Sequence, residues 1–161
     1  MTSSTRSPHP LIGWREWLTL PELGISSIKA KIDTGARTSS LYAFNIEPFD
    51  RDGVHHVRFK VHPSQHDETE TIESEAPLLD QRQVKNSGGK AELRPVILTP
   101  VSLNGQLWPI ELTLTHRRGM QFRMLLGREA VRKRFLVDPG RSYLQSSRPV
   151  SSAPSHPPTD R

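Results

Sequence analysis

The stretch with the clearest chemical potential is Lys31-Ile32-Asp33-Thr34-Gly35-Ala36-Arg37-Thr38-Ser39-Ser40-Leu41. Ahead of it, Ile28-Lys29-Ala30-Lys31-Ile32 alternates apolar and charged residues, the pattern of a half-buried strand with Ile28, Ala30 and Ile32 on one face. The strand delivers Asp33 into a tight turn. Asp and Thr side chains can bond their own backbone there, and Gly35 tolerates a positive φ. A carboxylate in a turn too narrow to leave it freely solvated is suited to acid–base work on a bound substrate.

The elements around this turn sharpen the reading. Val101-Ser102-Leu103-Asn104-Gly105-Gln106-Leu107-Trp108-Pro109-Ile110 reads as strand, Asn-Gly turn and strand, a strong hairpin signal. Phe122-Arg123-Met124-Leu125-Leu126-Gly127-Arg128-Glu129-Ala130-Val131 reads as a strand, two apolar residues and a glycine leading into a short helix. The order of strand, Asp-Thr-Gly-Ala, long middle, Asn-Gly hairpin and Leu-Leu-Gly-Arg resembles the retropepsin-like aspartic peptidases over roughly residues 11–145. KAKIDTGARTSSLYA, MLLGREAV and FLVDPGRSYL together resemble the bacterial RimB-like branch, historically labelled "ATP-dependent zinc protease" and associated with RimK-type ATP-grasp glutamate ligases.

The resemblance implies an all-β fold: a closed or partly open acid-protease barrel with one short helix. It implies two aspartates around one water, sharing a proton because like charges that close cannot both ionise. The chain has a single Asp-Thr-Gly, so both would be Asp33, one from each subunit of a homodimer. Thr34 would bond across to the partner's loop, Gly35 would let its backbone approach the carboxylate, and Ala36 would complete the loop. Leu125, Leu126 and Gly127 would pack beside the site. The middle would supply a flap-like hairpin, with Gly88 and Gly89 at its hinge or tip over the substrate. Arg37 stands where retropepsins commonly carry an acidic residue. Its guanidinium would either clamp acidic side chains of a glutamate-rich substrate or pair structurally with Glu129 or another carboxylate.

The zinc and ATP of the historical label find no support in the residues, and neither metal nor cofactor is expected. There is no His-Glu-x-x-His motif. His62 and His66 are four apart, but Pro63 between them argues against a helix presenting both, and His55 and His56 read as exposed strand positions. Lys90 after Gly88-Gly89 lacks the spacing and the Ser/Thr of a phosphate loop.

Composition is consistent with one compact domain with loose ends. The 161 residues are 34% hydrophobic and 24% charged, without cysteine, so thiolate nucleophiles, thiolate metal sites and disulfides are excluded. Residues 1–10 and 146–161 are Ser/Pro-rich and expected to be disordered, flanking a domain over 11–145. No secretion signal and no membrane span of ~18 apolar residues is legible, which makes the cytoplasm the expected compartment. The net charge of +5 is uneven: Asp67 to Asp80 is acidic, and Arg117 to Arg141 is basic. Solvated faces and intermolecular salt bridges account for this. A basic surface for an acidic or RNA-bound substrate is the sharper alternative, but little aromatic interleaving disfavours direct nucleic-acid binding.

Strands are also expected over Leu11–Leu20, Leu41–Glu47 and Val54–Val61, with a long loop, a short strand or both over Pro63–Pro77 and a Gly-Gly turn within Val84–Leu93. Leu107, Ile110, Leu112 and Leu114 are core candidates, and Glu129–Phe135 is the expected helix. The functional expectation is an aspartic endopeptidase acting on peptide or protein substrates. A non-catalytic adaptor of the same fold, recognising a glutamate ligase or ribosomal protein, is the alternative. A zinc hydrolase using His55, His56, His62 or His66 ranks behind both.

Overall fold

The computed structural model describes residues 9–85, 88–116 and 121–149. Most of the expected N-terminal and C-terminal disordered segments, and the basic turn with Arg117 and Arg118, lie outside these. The fold is mostly β. Its strands are β1 (Leu11–Ile12), β2 (Arg15–Leu20), β3 (Ile25–Asp33), β4 (Ser39–Tyr42), β5 (Phe44–Arg51) and β6 (Val54–Val61). They continue as β7 (Ile72–Lys85), β8 (Ala91–Leu103), β9 (Gln106–Thr115), β10 (Met124–Gly127) and β11 (Leu136–Val137), with a single-turn helix α1 over Arg128–Val131.

Strict alternation builds the sheet around one core. In β3, Ile28, Ala30 and Ile32 are buried while Lys29, Lys31 and Asp33 face outward. In β6, Val57, Phe59 and Val61 are buried on one face, as their spacing predicts. The nine-stranded sheet runs β2-β3-β10-β4-β9-β8-β7-β6-β5. A bridge between Thr19 of β2 and Ser102 of β8 curls its first six strands into a ring. Strands β7, β6 and β5 extend from that ring as a wing. β1 and β11 pair separately, in parallel.

Turn chemistry fixes the register. Asn104 and Gly105 both have positive φ, 49° and 80°, and join β8 to β9 by the two-residue turn that the strand twist favours. This pairing opposes Ser102 with Leu107 and Val101 with Trp108. It turns Trp108, Ile110, Leu112 and Leu114 inward and leaves Leu107 63% exposed, so Leu107 is not core.

Other boundaries differ from expectation for local reasons. The opening stretch divides at Gly13-Trp14 into β1 and β2, and Leu41–Glu47 divides at Ala43 between β4 and β5. The helix ends at Val131 because Arg132 returns to extended backbone and Lys133 takes φ 68°. Only Met124–Gly127 of the penultimate segment pairs as strand, and β7 begins at Ile72.

The acidic middle pairs within the chain. Glu75 of β7 bridges Arg51 of β5 at 2.9 Å and Arg58 of β6 at 3.1 Å, tying both strands to β7. Hydrogen bonds from Arg51, then Arg58, hold its carboxyl below the usual glutamate range. The linked stability is present above that range and lost as pH falls through the depressed value. Glu75→Gln should therefore melt below wild type near about pH 7, and the difference should shrink towards about pH 3 in a thermal scan.

Candidate active site

Asp33 is the last residue of β3 and lies in register with Gly127, the last residue of β10, through a parallel pairing. Leu125 and Leu126 stand beside Lys31 and Ile32 in the same ladder. The turn after Asp33 is closed by its own backbone. The Gly35 N–H donates to Asp33 Oδ1 at 3.1 Å, and the Ala36 N–H donates to the Asp33 carbonyl at 3.2 Å. Adding a Cβ to Gly35 would bring it within 3.3 Å of the same carboxylate oxygen, so a side chain there would crowd Asp33. The carboxylate is half-buried. Thr34 is exposed, and its hydroxyl bonds none of the described residues.

A second layer of bonds holds this loop against the start of α1. The Arg128 N–H donates to the Ala36 carbonyl at 2.8 Å, and the Glu129 N–H to the Arg37 carbonyl at 3.1 Å. From the other side, the Arg128 guanidinium reaches the carbonyls of Gly35 at 3.3 Å and Thr34 at 3.4 Å. Ser39 Oγ accepts from the Gly127 N–H at 3.0 Å. Arg128 and Ser39 are thus positioning residues that sequence reading assigned no role. The signal for Arg128 was its place directly after Leu-Leu-Gly.

Gly127 is held to its residue type by space. A Cβ there would meet backbone: 2.7 Å from the Thr38 carbonyl carbon and 2.9 Å from the carbonyl oxygens of Arg37 and Thr38. Backbone cannot swing aside as a side chain does. Gly127→Ala is expected to cost about 2–3 kcal/mol, read by chemical denaturation. It should also push the 36–38 segment, and Asp33 with it, away from β10.

Arg37 is exposed, and its guanidinium has no ion pair among the described residues. The expected pairing with Glu129 is not made: Glu129 lies 3.4 Å from Arg132 instead. Glu111 is likewise taken, by Arg82 at 2.8 Å. Arg37, Thr38 and Ser39 line a cavity of about 330 Å³ together with Leu98, Ile110 and Glu129. Gly88 and Gly89 fall in the turn at the end of the β7–β8 hairpin, Gly89 with φ 84°, and are not among the residues lining that cavity.

The histidines diverge. His55 and His56 are consecutive strand residues, bonded to Asp50 at 2.6 Å and to the Val54 carbonyl at 3.0 Å. His62 bonds the Glu70 carbonyl and packs on Phe44. Among the described residues no group of three or more His, Asp or Glu is placed to hold a metal. No helix among them is long and apolar enough to cross a membrane.

Comparison with known proteins identifies the family. In the curated set, a "Probable alpha-L-glutamate ligase" of Desulfotalea psychrophila (strain LSv54 / DSM 12343) is 51% identical over 80% of this chain and 28% of its own length. A protein of the same name from Parasynechococcus marenigrum (strain WH8102) is 52% identical over 83% of this chain and 28% of its own. The chain therefore spans little more than a quarter of these relatives. The crystal structure of Lpg0085, a protein with unknown function from Legionella pneumophila, superposes with a TM-score of 0.72 at 28% identity, covering 83% of this chain and 96% of that one. A family model described as retropepsin-like aspartic endopeptidase RimB matches residues 11–148. The chain belongs to that RimB-like, retropepsin-like family.

Proposed function

We propose that the chain is an aspartic endopeptidase in which Asp33 residues of two copies activate one water. The observation that carries this reading is the presentation of Asp33: a half-buried carboxylate on the outward face of β3, in a turn fixed by Gly35 and braced by Arg128. A site held this firmly by backbone bonds can keep a carboxylate in one place through a reaction. With one such loop per chain, the second carboxylate comes from a second copy.

In this mechanism the ionised carboxylate takes a proton from water as the water attacks the scissile carbonyl carbon. The protonated partner donates to the carbonyl oxygen. Thr34, exposed beside Asp33, is free to bond the partner's loop, while Leu125, Leu126 and Gly127 hold the loop from below. The unpaired Arg37 guanidinium is suited to a carboxylate on a glutamate-rich or glutamylated substrate. Gly88 and Gly89 at the hairpin turn would serve as the covering element. Association with a RimK-type ligase is supported by the ligase names of the curated relatives; a cytoplasmic setting and a ribosomal protein as partner complete the reading.

Those names also favour a second reading, in which the domain is a non-catalytic adaptor for a glutamate ligase. Sedimentation at several concentrations separates the two, combined with mass-spectrometric scoring of cleavage in a panel of unfolded and glutamate-rich proteins. A dimer that cleaves is expected. A strict monomer at every concentration, without cleavage, would leave the adaptor.

A further inference from the structure

The cavity beside Arg37 has a lining of which the chemistry proposed for Asp33 uses only Arg37. The segment Arg37–Ser39 forms one wall, β8 and β9 a second, and α1 a third. Bonds between these walls fix their spacing. The Glu129 N–H donates to the Arg37 carbonyl at 3.1 Å, the Gly127 N–H to Ser39 Oγ at 3.0 Å, and the Trp108 indole N–H to the Ala130 carbonyl at 3.1 Å. The site is therefore preformed, and a ligand entering it has little of the protein to order.

Three kinds of group meet there. Leu98, Pro109, Ile110 and Ala130 are apolar, and Leu98 is left 52% exposed. Arg37 supplies a cation without an ion pair among the described residues. The third kind is carboxylate, from Glu111 and Glu129. Glu111 is held by Arg82 at 2.8 Å. Among the described residues Glu129 pairs only with the exposed Arg132, at 3.4 Å through Oε1, which leaves Oε2 open to a further donor.

Size and charge together narrow the occupant. A volume of about 330 Å³ is at the small end of ligand sites, which run from ~300 to ~1,000 Å³, and suits a residue-sized molecule better than a peptide. A phosphate or dicarboxylate would satisfy Arg37 but set its further charge against two glutamates or the apolar wall. A purely apolar molecule would close Arg37 and Glu129 off from water without pairing them. A base ring finds no aromatic side chain in the lining to stack on. One carboxylate, one ammonium and one aliphatic side chain on the same small molecule answer all three kinds of group.

We propose that this cavity binds a free aliphatic α-amino acid of leucine size. Its carboxylate lies on the Arg37 guanidinium, its ammonium donates to Glu129, and its side chain packs against Leu98, Pro109 and Ile110. Arg37 leads out of the aspartate turn and Glu129 belongs to α1, so the bound molecule ties the turn to its brace through side chains as well as backbone. It also withholds Arg37 from a substrate carboxylate; that consequence rests on the peptidase reading above, and the binding itself does not.

The test is an NMR titration of the isotope-labelled chain with leucine, following the Thr38, Ser39 and Ala130 amides, with glutamate, isocaproate and isoamylamine as comparisons. Leucine is expected to shift these amides in a saturable way. Isocaproate, which lacks the ammonium, and isoamylamine, which lacks the carboxylate, should each bind more weakly by roughly tenfold or more, and glutamate not at all. Arg37→Gln, at an exposed position, should weaken leucine binding by roughly tenfold or more, and Leu98→Asp by a similar factor. Thermal midpoints measured alongside identify any variant that fails to fold; Arg37→Gln is the variant that decides. The absence of a saturable shift up to the solubility limit of leucine would overturn the proposal, as would unchanged affinity in folded Arg37→Gln or glutamate binding as tight as leucine's. Leucine binding without any peptide cleavage would sink the peptidase reading while leaving this site intact.

Discussion

Asp33→Asn is expected to lower kcat for peptide hydrolysis by about 10³-fold or more, with little change in thermal midpoint or association state. The asymmetry follows from what each oxygen does. Oδ1 accepts the Gly35 N–H at 3.1 Å, and an asparagine carbonyl can accept the same bond, so the turn keeps its shape. What the amide cannot do is take a proton from water or share one with a second carboxylate. Initial rates on a cleaved peptide, measured beside sedimentation and a melting curve, check both halves. Cleavage that persists in a folded Asp33→Asn dimer would remove the aspartate from the chemistry and return the domain to the adaptor reading.

Glu16→Ala is expected to produce the largest loss of stability of any single change considered. Glu16 is fully buried, and its carboxylate is the shared acceptor for residues 144–146. Oε2 takes the N–H groups of Gly13 at 2.7 Å and Leu144 at 2.9 Å. Oε1 takes the Gln145 N–H at 3.1 Å and the Ser146 hydroxyl at 2.6 Å, and Ser146 Oγ in turn accepts the Trp17 N–H at 2.8 Å. Truncation strands three amide donors at once.

Unsatisfied buried donors and the loss of a buried charged acceptor make about 3–5 kcal/mol the expected cost. For a domain of this size that is a fall of roughly 10–15 °C in melting temperature. Glu16→Gln, which keeps one acceptor and adds a donor facing other donors, should fall in between. Hydrogen exchange gives the independent check: the Gly13, Leu144 and Gln145 amides should lose protection first. A variant that melts like wild type would mean that the segment is held by Tyr143 stacking on Trp17 and by Gln145 bonding the Leu11 carbonyl instead.

What could be read in advance was set by local pattern. The alternation of Ile28, Ala30 and Ile32 placed Asp33 at the end of a strand, and Asn104-Gly105 formed a hairpin because its turn chemistry is local. Which residues of β9 face inward is not local. It follows from pairing with β8, and one step of register separates a buried Trp108 from an exposed Leu107. Glu16 escaped notice because a glutamate in an alternating strand carries no mark of which amides will reach it from residues 144 and 145. Arg128 and Ser39 escaped for the same reason, since their partners belong to distant segments. The absence of a pair between Arg37 and Glu129 was beyond sequence as well, because several arginines lay within reach and Arg132 made the contact.

The parallel pairing of Asp33 with Gly127 also sets when the site can exist. The bond from Arg128 to Thr34 spans 94 residues of chain. Closing so long a loop brings no local reward until β10 is in place, so the ordering cost is met late in folding. During synthesis from the N-terminus, Asp33 leaves the ribosome long before Gly127 and Arg128 do. The aspartate turn is therefore unbraced throughout translation of the middle strands, and the nascent chain carries a built-in delay before the carboxylate is fixed.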